Sequence, residues 1–223
     1  MLPWMDNAMI TLEMMRRSFY SAVIADALDS VGRRCQAPRV ALRPMTVETV
    51  LVGRCKTTLW ADMAHVDPEP YALELQAVDS ARPDDVLIAA AGGSTRSGIW
   101  GELLSTAARR SGCVGCVVDG TVRDVLRMRQ MQFPVWARGT SVYDSRDRQR
   151  VVDVDVPVEI AGVVFSPGDL VVADVDGVVV VPRDVEQEVV HRAWEKVNAE
   201  NTVRQKIAEG MSATEVFERY GVL

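Results

Sequence analysis

An acid and an adjacent arginine–aspartate pair stand at two successive turns of the chain. Glu102 follows Gly101 in the segment GIWGELLSTAARR, and Arg123 and Asp124 follow the apolar segment CVGCVVDG, with twenty residues between Glu102 and Arg123. An arginine can hold a carboxylate through its planar fork of N–H donors, and carboxylate oxygens suit Mg²⁺. The two turns therefore predict a site for a small anion and a hard cation, provided that the fold brings them together.

The segments around these residues predict alternating strands and helices. Strands are predicted over 85–93, 113–120 and 133–139, with helices from about Gly101 and over 121–132. This β-α-β-α-β order predicts parallel strands joined by crossover helices. In open α/β sheets, ligands bind beyond the carboxyl ends of the strands.

Two turns are expected to face each other at that edge of the sheet. Gly120 predicts a turn after the strand over 113–120, and this turn would carry Arg123 and Asp124. The glycine loop GGSTRSG (92–98) ends the neighbouring strand and precedes a helix, where amides and the helix dipole favour anions. The loop lacks the lysine of a P-loop and the spacing of a dinucleotide loop. We therefore interpret it as a place where a small anion approaches the backbone.

The remaining segments predict helices at both ends of the chain and antiparallel strands late in it. The first thirty residues favour helix, with Ser21 as an N-cap and Gly32 as a stop. Asp176 and Gly177 between valine runs favour a hairpin. We expect one domain over 1–223, with a C-terminal helical extension at about 184–223. The other elements are predicted as strands over 47–60, 150–160 and 163–184 (with a turn at 167–169) and helices over 71–81, 184–209 and 212–221.

The composition is that of a soluble globular protein. Of 223 residues, 48% are hydrophobic and 25% charged, and the net charge is −6. This acidic balance, without a basic cluster, argues against a nucleic-acid partner, and no apolar run is long enough to span a membrane. The N-terminus lacks the basic region and cleavage site of a secretory signal. We expect a cytoplasmic protein with no nucleic-acid or membrane partner.

Several other reactive residues are interpreted as structural. The CVGC segment (113–116) could be half of a zinc site or a redox pair, but both cysteines flank an apolar strand, where cysteine usually packs as a small hydrophobe. His65 and His191 have no recognisable triad context. Asp174 and Asp176 could bind a metal, but they flank a hairpin and are better explained as solvated turn carboxylates.

Lysine usage argues against one kind of carbon–carbon lyase. A Schiff-base aldolase needs a lysine that is desolvated or placed near another cation. The chain has three lysines, Lys56, Lys196 and Lys206, and none lies in the region 92–124. Schiff-base chemistry is therefore not expected at this site.

Three motifs carry a resemblance to a known family. G-E-L-L-S-x-A-A (101–108), V-x-D-G-x-V-R-D (117–124) and P-G-D-L-V-V-A-D-x-D-G-V-V-V-V-P (167–182) resemble the RraA-like family. That family includes class II 4-hydroxy-4-methyl-2-oxoglutarate/4-carboxy-4-hydroxy-2-oxoadipate aldolases and the bacterial regulator of ribonuclease activity A. The similarity covers about residues 20–185. The aldolases typically have aspartate where Glu102 stands, and glutamate also occurs there in the wider family.

The resemblance implies a fold, an assembly and roles for the site residues. The implied fold is α/β, a swivelling β/β/α (RraA-like) single domain with C-terminal helices, assembled as a homotrimer or hexamer with sites between subunits. Asp124 would ligate a divalent cation, Mg²⁺ or Mn²⁺, and Arg123 would hold the pyruvate carboxylate or keto oxygen. The amides from Gly101 through Glu102 and Leu103 to Leu104 would receive the substrate carboxylate. Members of the family also bring a glutamate from the adjacent subunit towards the metal; Glu195 and Glu200 are candidates for it here, and the role is assigned to neither.

These roles favour a metal-dependent lyase that cleaves a 4-hydroxy-2-oxo acid to pyruvate and a second carbonyl compound, with oxaloacetate decarboxylation as a side activity. Arg123, Glu102 and Asp124 are its expected catalytic residues, and the pocket beyond pyruvate is expected to involve the 60–71 segment and Trp100. The alternative is a non-catalytic RraA-type regulator that binds a ribonuclease or another protein. A methyltransferase is not supported, because no G-x-G-type nucleoside loop is present.

Overall fold

A computed structural model describes residues 10–221 of the chain. This part contains seven helices and eleven strands. The helices are α1 (Leu12–Ser18), α2 (Ser21–Ser30), α3 (Ala72–Asp79), α4 (Glu102–Arg110), α5 (Val125–Gln130), α6 (Glu186–Ala208) and α7 (Ala213–Tyr220). The strands are β1 (Arg43–Pro44), β2 (Leu51–Asp62), β3 (Asp85–Ala90), β4 (Gly98–Trp100), β5 (Gly115–Val122), β6 (Val135–Thr140), β7 (Gln149–Val154), β8 (Val158–Ile160), β9 (Val163–Phe165), β10 (Leu170–Ala173) and β11 (Val178–Val181).

Nine of the described strands form one mixed sheet. Its main path runs β1-β6-β5-β3-β2-β10-β11, with β4 paired to β5 and β7 paired to β2, while β8 and β9 form a separate hairpin. The pairs β2–β3, β3–β5 and β5–β6 are parallel. The pairs β2–β10 and β10–β11 are antiparallel. The predicted parallel series and late antiparallel part are both confirmed.

The central strands are apolar along their length because both faces of the sheet are covered. All eight residues of β5 are buried, as expected of parallel strands that carry helices or other elements on each side. One face packs beneath α3, α4 and α5, and the other beneath the β8–β9 hairpin. A third cluster joins α1, α2 and α6 to the β10–β11 end. The sheet therefore gives the residues after β5 a rigid support.

The C-terminal helices continue the same body. α6 buries Val189, Val190 and Ala193 in the cluster that also contains α2, and α7 begins with a capping box between Ser212 and Glu215. Among residues 10–221, no helix combines the length and apolarity needed to cross a bilayer. Part of the predicted N-terminal helix, residues 1–9, and residues 222–223 of the predicted single domain lie outside the described residues.

Three local predictions were wrong. Tyr20, not Ser21, is the N-cap of α2, since Ser21 is already helical and binds Asp174 through its amide and hydroxyl. Gly120 makes no turn, because β5 continues to Val122 and α5 begins at Val125 rather than near 121. Asp174 is not a solvated turn carboxylate: it is 7% exposed.

Candidate active site

The end of β5 joins the two turns that the sequence singled out. β4 pairs with the last residues of β5, and the Arg123 amide donates to the Trp100 carbonyl at 2.8 Å. Asp124 then has a left-handed conformation, with φ 57°, as the N-cap residue of α5, a conformation that aspartate tolerates better than most residues. Strand pairing, rather than a loop at Gly120, therefore brings the arginine–aspartate pair to the start of α4.

Two glycines allow this close approach. A Cβ atom at Gly98 would lie 2.9 Å from the Arg123 Cβ, and one at Gly101 would lie 2.7 Å from the Asp124 Oδ2. Both distances are shorter than real Cβ contacts. The glycines at both ends of GIWG thus explain why the pair can pack directly against the backbone that leads into α4.

The amino end of α4 presents backbone donors beside Asp124. The Glu102 amide donates to Asp124 Oδ2 at 3.3 Å, and Gly101 provides no side-chain cap. The first N–H groups of a helix have no carbonyl partner within the helix, so the amides of Leu103 and Leu104 can receive an anion. The helix dipole favours negative charge at the same place.

The carboxylate of Glu102 points elsewhere. Its Oε1 accepts a hydrogen bond from Thr106 Oγ1 at 3.0 Å, one turn along α4. The structure therefore joins the backbone of Glu102 to Asp124 but does not join the Glu102 carboxylate to Arg123 or Asp124. Its expected role near a cation stays a prediction.

Arg123 has a partner that sequence reasoning missed. Its Nη1 lies 2.7 Å from Asp144 Oδ2, whereas its Nε lies 3.7 Å from Asp124 Oδ2. Asp144 belongs to the loop between β6 and β7, and its Oδ1 accepts bonds from the Tyr71 hydroxyl at 2.7 Å and the Arg146 amide at 2.8 Å. Burial opposes ionisation of Asp144, but these hydrogen bonds and the charge of Arg123 outweigh it and lower its pKa.

Tyr71 and Glu74 lie one turn apart at the start of α3, on the same side of the site. Burial and the hydrogen bond to Asp144 raise the pKa of Tyr71 to about 12, so its hydroxyl stays a donor. Glu74 is 8% exposed, and burial, together with the negative charge of Asp144, raises its pKa to about 8 against the opposing effect of Arg123. No sequence signal distinguishes Tyr71, Glu74 or Asp144 from other polar residues in a single chain.

The donor set at this edge fits a hard divalent cation. Asp124 has a side chain 42% exposed, and within residues 10–221 no donor hydrogen-bonds its Oδ1. The described residues contain no cluster of three or more histidine, cysteine, aspartate or glutamate side chains suited to a metal. Mg²⁺ is commonly coordinated by one or two carboxylates together with several waters. The thiolate and imidazole ligands that softer metals prefer are not clustered among the described residues.

Most of the other residues singled out from the sequence lie apart from this arrangement. Of the glycine loop 92–98, Gly98 opens β4 and packs against Arg123, whereas residues 92–97 precede β4, and the Gly93 amide is already bonded to the carbonyl and carboxylate of Asp119. The Gly93 amide is therefore already engaged, and an anion approach at the amino end of α4 stays a prediction. Glu195 and Glu200, the two candidates for a glutamate that approaches the metal of an adjacent subunit, both lie on α6. The Tyr20 hydroxyl donates a hydrogen bond to Glu200, and Glu195 lies 3.3 Å from His191.

The structure places Lys56 away from this edge of the sheet and buries both cysteines of the CVGC segment. Lys56 is buried and pairs with Asp155 at 2.7 Å. Lys56 is paired across β2 and β3 with Leu87, which in turn is paired across β3 and β5 with Cys116. At about 3.3 Å per residue, Cys116 is about 20 Å from Val122 at the end of β5. Cys113 and Cys116 are buried free thiols, as predicted, and burial raises the pKa of Cys113 to about 12.

Comparison with known proteins identifies the family. The family described as RraA-like, Aldolase/RraA, matches residues 21–180. The chain belongs to the RraA-like family. The predicted RraA-like α/β fold with C-terminal helices is thereby confirmed.

Two solved structures and one sequence relative match nearly the whole chain. A Halalkalibacterium halodurans protein, named provisionally as a 4-hydroxy-4-methyl-2-oxoglutarate aldolase, is 28% identical over 96% of both chains. Streptomyces coelicolor RraAS2, described as an unusual member of the RNase ES inhibitor RraA protein family, is 32% identical, covers 91% of this chain and 99% of its own, and superposes with a TM-score of 0.76. An uncharacterized Pseudomonas syringae protein is 27% identical, with 94% and 93% coverage and a TM-score of 0.83.

Proposed function

We propose that the protein is a divalent-metal-dependent lyase that cleaves a 4-hydroxy-2-oxo acid to pyruvate and a second carbonyl compound. The observation that supports this most is the contact between the Arg123–Asp124 pair and the amino end of α4, where the Glu102 amide meets Asp124 at 3.3 Å. The pair provides one cationic group and one hard carboxylate, and the helix start provides neutral donors. A 2-oxo acid carries the matching carboxylate and keto oxygen.

Different residues of the chain bind different parts of the substrate. The amides of Leu103 and Leu104 receive the carboxylate of the pyruvate portion, because the helix start favours an anion there. Arg123 has five N–H donors; among residues 10–221, Nη1 lies 2.7 Å from Asp144 and Nε lies at the longer distance of 3.7 Å from Asp124. Its remaining N–H groups are therefore left for the keto oxygen or carboxylate.

Cleavage follows loss of the 4-hydroxyl proton. That proton passes to a base, the C4–O bond becomes a carbonyl, and the C3–C4 electrons move to C3–C2 as an enolate. Protonation at C3 then gives pyruvate. Arg123 stabilises the charge that develops on the enolate oxygen, and we assign Glu102, at the head of α4, to accept the hydroxyl proton through water. Oxaloacetate decarboxylation breaks the corresponding bond, releases CO₂ and leaves the same enolate.

Asp124 is the residue assigned to a divalent cation. Mg²⁺ or Mn²⁺ bound there would supply Lewis acidity to the 2-oxo acid. One direct carboxylate and several waters make a weak site, so bound metal should exchange readily with chelators.

A second candidate function is a non-catalytic regulator of a protein partner such as a ribonuclease. The likeness to RraAS2 favours it, because that protein is described as belonging to a family of RNase ES inhibitors. The ion pair between Arg123 and Asp144 would then be structural.

Pyruvate release separates the two functions. The purified protein is incubated with 4-hydroxy-4-methyl-2-oxoglutarate or oxaloacetate, and pyruvate is measured with and without EDTA. We expect turnover with Mg²⁺ or Mn²⁺, its loss in EDTA, and its loss in Asp124→Asn. The control is Asp79→Asn, which alters an exposed carboxylate at the last residue of α3. Full activity in EDTA, or pyruvate-dependent inactivation by borohydride, contradicts metal-dependent chemistry, and absence of all turnover favours the regulator.

A further inference from the structure

Glu74 is a buried carboxyl group that the proposed reaction does not use. It lies on the first turns of α3 and is 8% exposed. Its Oε2 is inaccessible to solvent and has no hydrogen-bond partner among residues 10–221. The other buried oxygen without a hydrogen bond in the described chain, Asp67 Oδ2, lies 2.8 Å from Arg150 Nη1 and is compensated by that charge. Glu74 has no such ion pair in the described chain, and an orphaned buried oxygen calls for an explanation.

The charges around Glu74 belong to the candidate active site. Those that act on it are Asp144, from the loop after β6, and Arg123, from the end of β5. On its own helix, Tyr71 lies one turn earlier, and its hydroxyl is committed to Asp144. Glu74 therefore shares one guanidinium with a carboxylate that is already paired to it.

The elements packed on α3 supply no second cation for Glu74. α3 contacts β2, β7 and α4. β7 carries Arg150, which pairs with Asp67. β2 carries Arg54, which pairs with Glu186, and Lys56, which pairs with Asp155. The arginines of α4, Arg109 and Arg110, lie in its last turn. The Arg146 side chain, from the same loop as Asp144, is largely exposed, and α4 begins with the acid Glu102. Among residues 10–221, an ionised Glu74 could find compensation only at Arg123.

We propose that Glu74 is a positioning residue that stays a neutral carboxylic acid behind the Arg123–Asp144 pair, which leaves Arg123 available to an anionic substrate, and that its ionisation withdraws Arg123 from that substrate. The inference rests on the proposed function for its substrate, a 2-oxo acid. The underlying geometry does not depend on turnover. A neutral acid needs no counter-charge, whereas a carboxylate at the same place competes directly with the ligand for the guanidinium.

The kinetic test compares KM for oxaloacetate with Mg²⁺ across pH 7 to 9.5 in wild type and Glu74→Gln. Glutamine keeps the size and the neutral state but cannot ionise. With the pKa of Glu74 at about 8, full withdrawal of Arg123 predicts a rise in KM of about 30-fold over this range in the wild type. In Glu74→Gln, KM for oxaloacetate should rise less than about threefold over the same pH range. Equal rises in the two proteins overturn the inference.

A spectroscopic measurement keeps the inference separate from the proposed function. The Arg123 Nε–Hε resonance, assigned by its loss in Arg123→Lys, is followed by NMR without metal or substrate. We expect an inflection near pH 8 in the wild type that disappears in Glu74→Gln. Glu74→Met, an apolar side chain of similar length, gives a second neutral form if the glutamine variant does not fold.

The possible results are distinguishable. Absence of turnover with a Glu74-dependent inflection refutes the lyase and supports the positioning role. Turnover without an inflection in the wild type supports the lyase and overturns the role of Glu74. An inflection that persists in both neutral variants assigns the titration to another group and also overturns it.

Discussion

Replacing Glu74 with glutamine removes an ionisable group that the fold holds in its protonated form. Burial and the charge of Asp144 raise the pKa of Glu74 from its ordinary 4.5 to about 8. Because the folded state binds this proton more tightly than the unfolded chain, the stability it contributes is fully present below about pH 4.5. That stability is lost as the pH rises through about 8. Wild-type stability should therefore fall with pH in this window, and the variant should lack that part of the fall.

The size of the effect follows from the two pKa values. At 1.36 kcal/mol per pKa unit, holding one proton contributes roughly 5 kcal/mol in full, of which about 4 kcal/mol disappears between pH 4.5 and 8. Water that enters the site on ionisation reduces the cost of a buried charge. We expect the stability of Glu74→Gln relative to wild type to rise by about 2–4 kcal/mol from pH 5 to pH 8.5.

The assay is urea unfolding followed by circular dichroism at half-unit pH steps, at one fixed protein concentration because association would shift the midpoint. Glu218→Gln, which alters an exposed glutamate on α7, is the matched control and should give a flat difference. A difference between wild type and Glu74→Gln that stays within about 0.5 kcal/mol across the range would refute the reasoning, since it would mean that Glu74 ionises in the folded protein as it does in the unfolded chain.

Three further predictions concern the site and the assembly. Arg123→Lys should lower kcat for oxaloacetate by about 10²–10³, or roughly 3–4 kcal/mol, because lysine lacks the planar fork, while the exposed Arg127→Lys should not; intact turnover in Arg123→Lys would make the site vestigial. Gly101→Ala should displace Asp124, since its Cβ would lie 2.7 Å from Oδ2, and should lower kcat/KM at least about tenfold, whereas Gly139→Ala meets only an ordinary 3.8 Å contact; equal effects would contradict this steric account. Light scattering should give a trimer or hexamer at micromolar concentration, and a monomer would exclude a site built between subunits.

Periodicity and residue type were sufficient for the parallel core. The apolar runs over 85–93, 113–120 and 133–139 became β3, β5 and β6, because strands covered on both faces have no polar alternation to obscure them. Turn chemistry was less reliable. Gly120 predicted a turn because glycine commonly interrupts strands, yet in β5 it allows close packing, since a Cβ at this position would lie 3.0 Å from the Ser94 carbonyl oxygen.

The chemistry-bearing residues were predictable only where they were close to the strand ends. Glu102, Arg123 and Asp124 stood out because each follows a glycine-rich or apolar segment. Asp144 and Glu74 did not, because each reaches the site through tertiary contact: one from a charged loop, the other from a helix whose burial depends on β7 and α4. The prediction for Asp174 was wrong for the same reason, since its partner Ser21 is 153 positions away.

Charge balance around Arg123 links these residues to function. The guanidinium lies 2.7 Å from Asp144 and 3.7 Å from Asp124, so two carboxylates already share one positive charge. A third ionised carboxylate, at Glu74, would add to this excess of negative charge and further weaken the attraction of Arg123 for an anionic substrate. A divalent cation at Asp124 would act in the opposite direction, because it would offset the charge of that carboxylate and release Arg123 toward the substrate. Substrate binding by Arg123 should therefore depend on two conditions at once, a proton on Glu74 and a cation at Asp124.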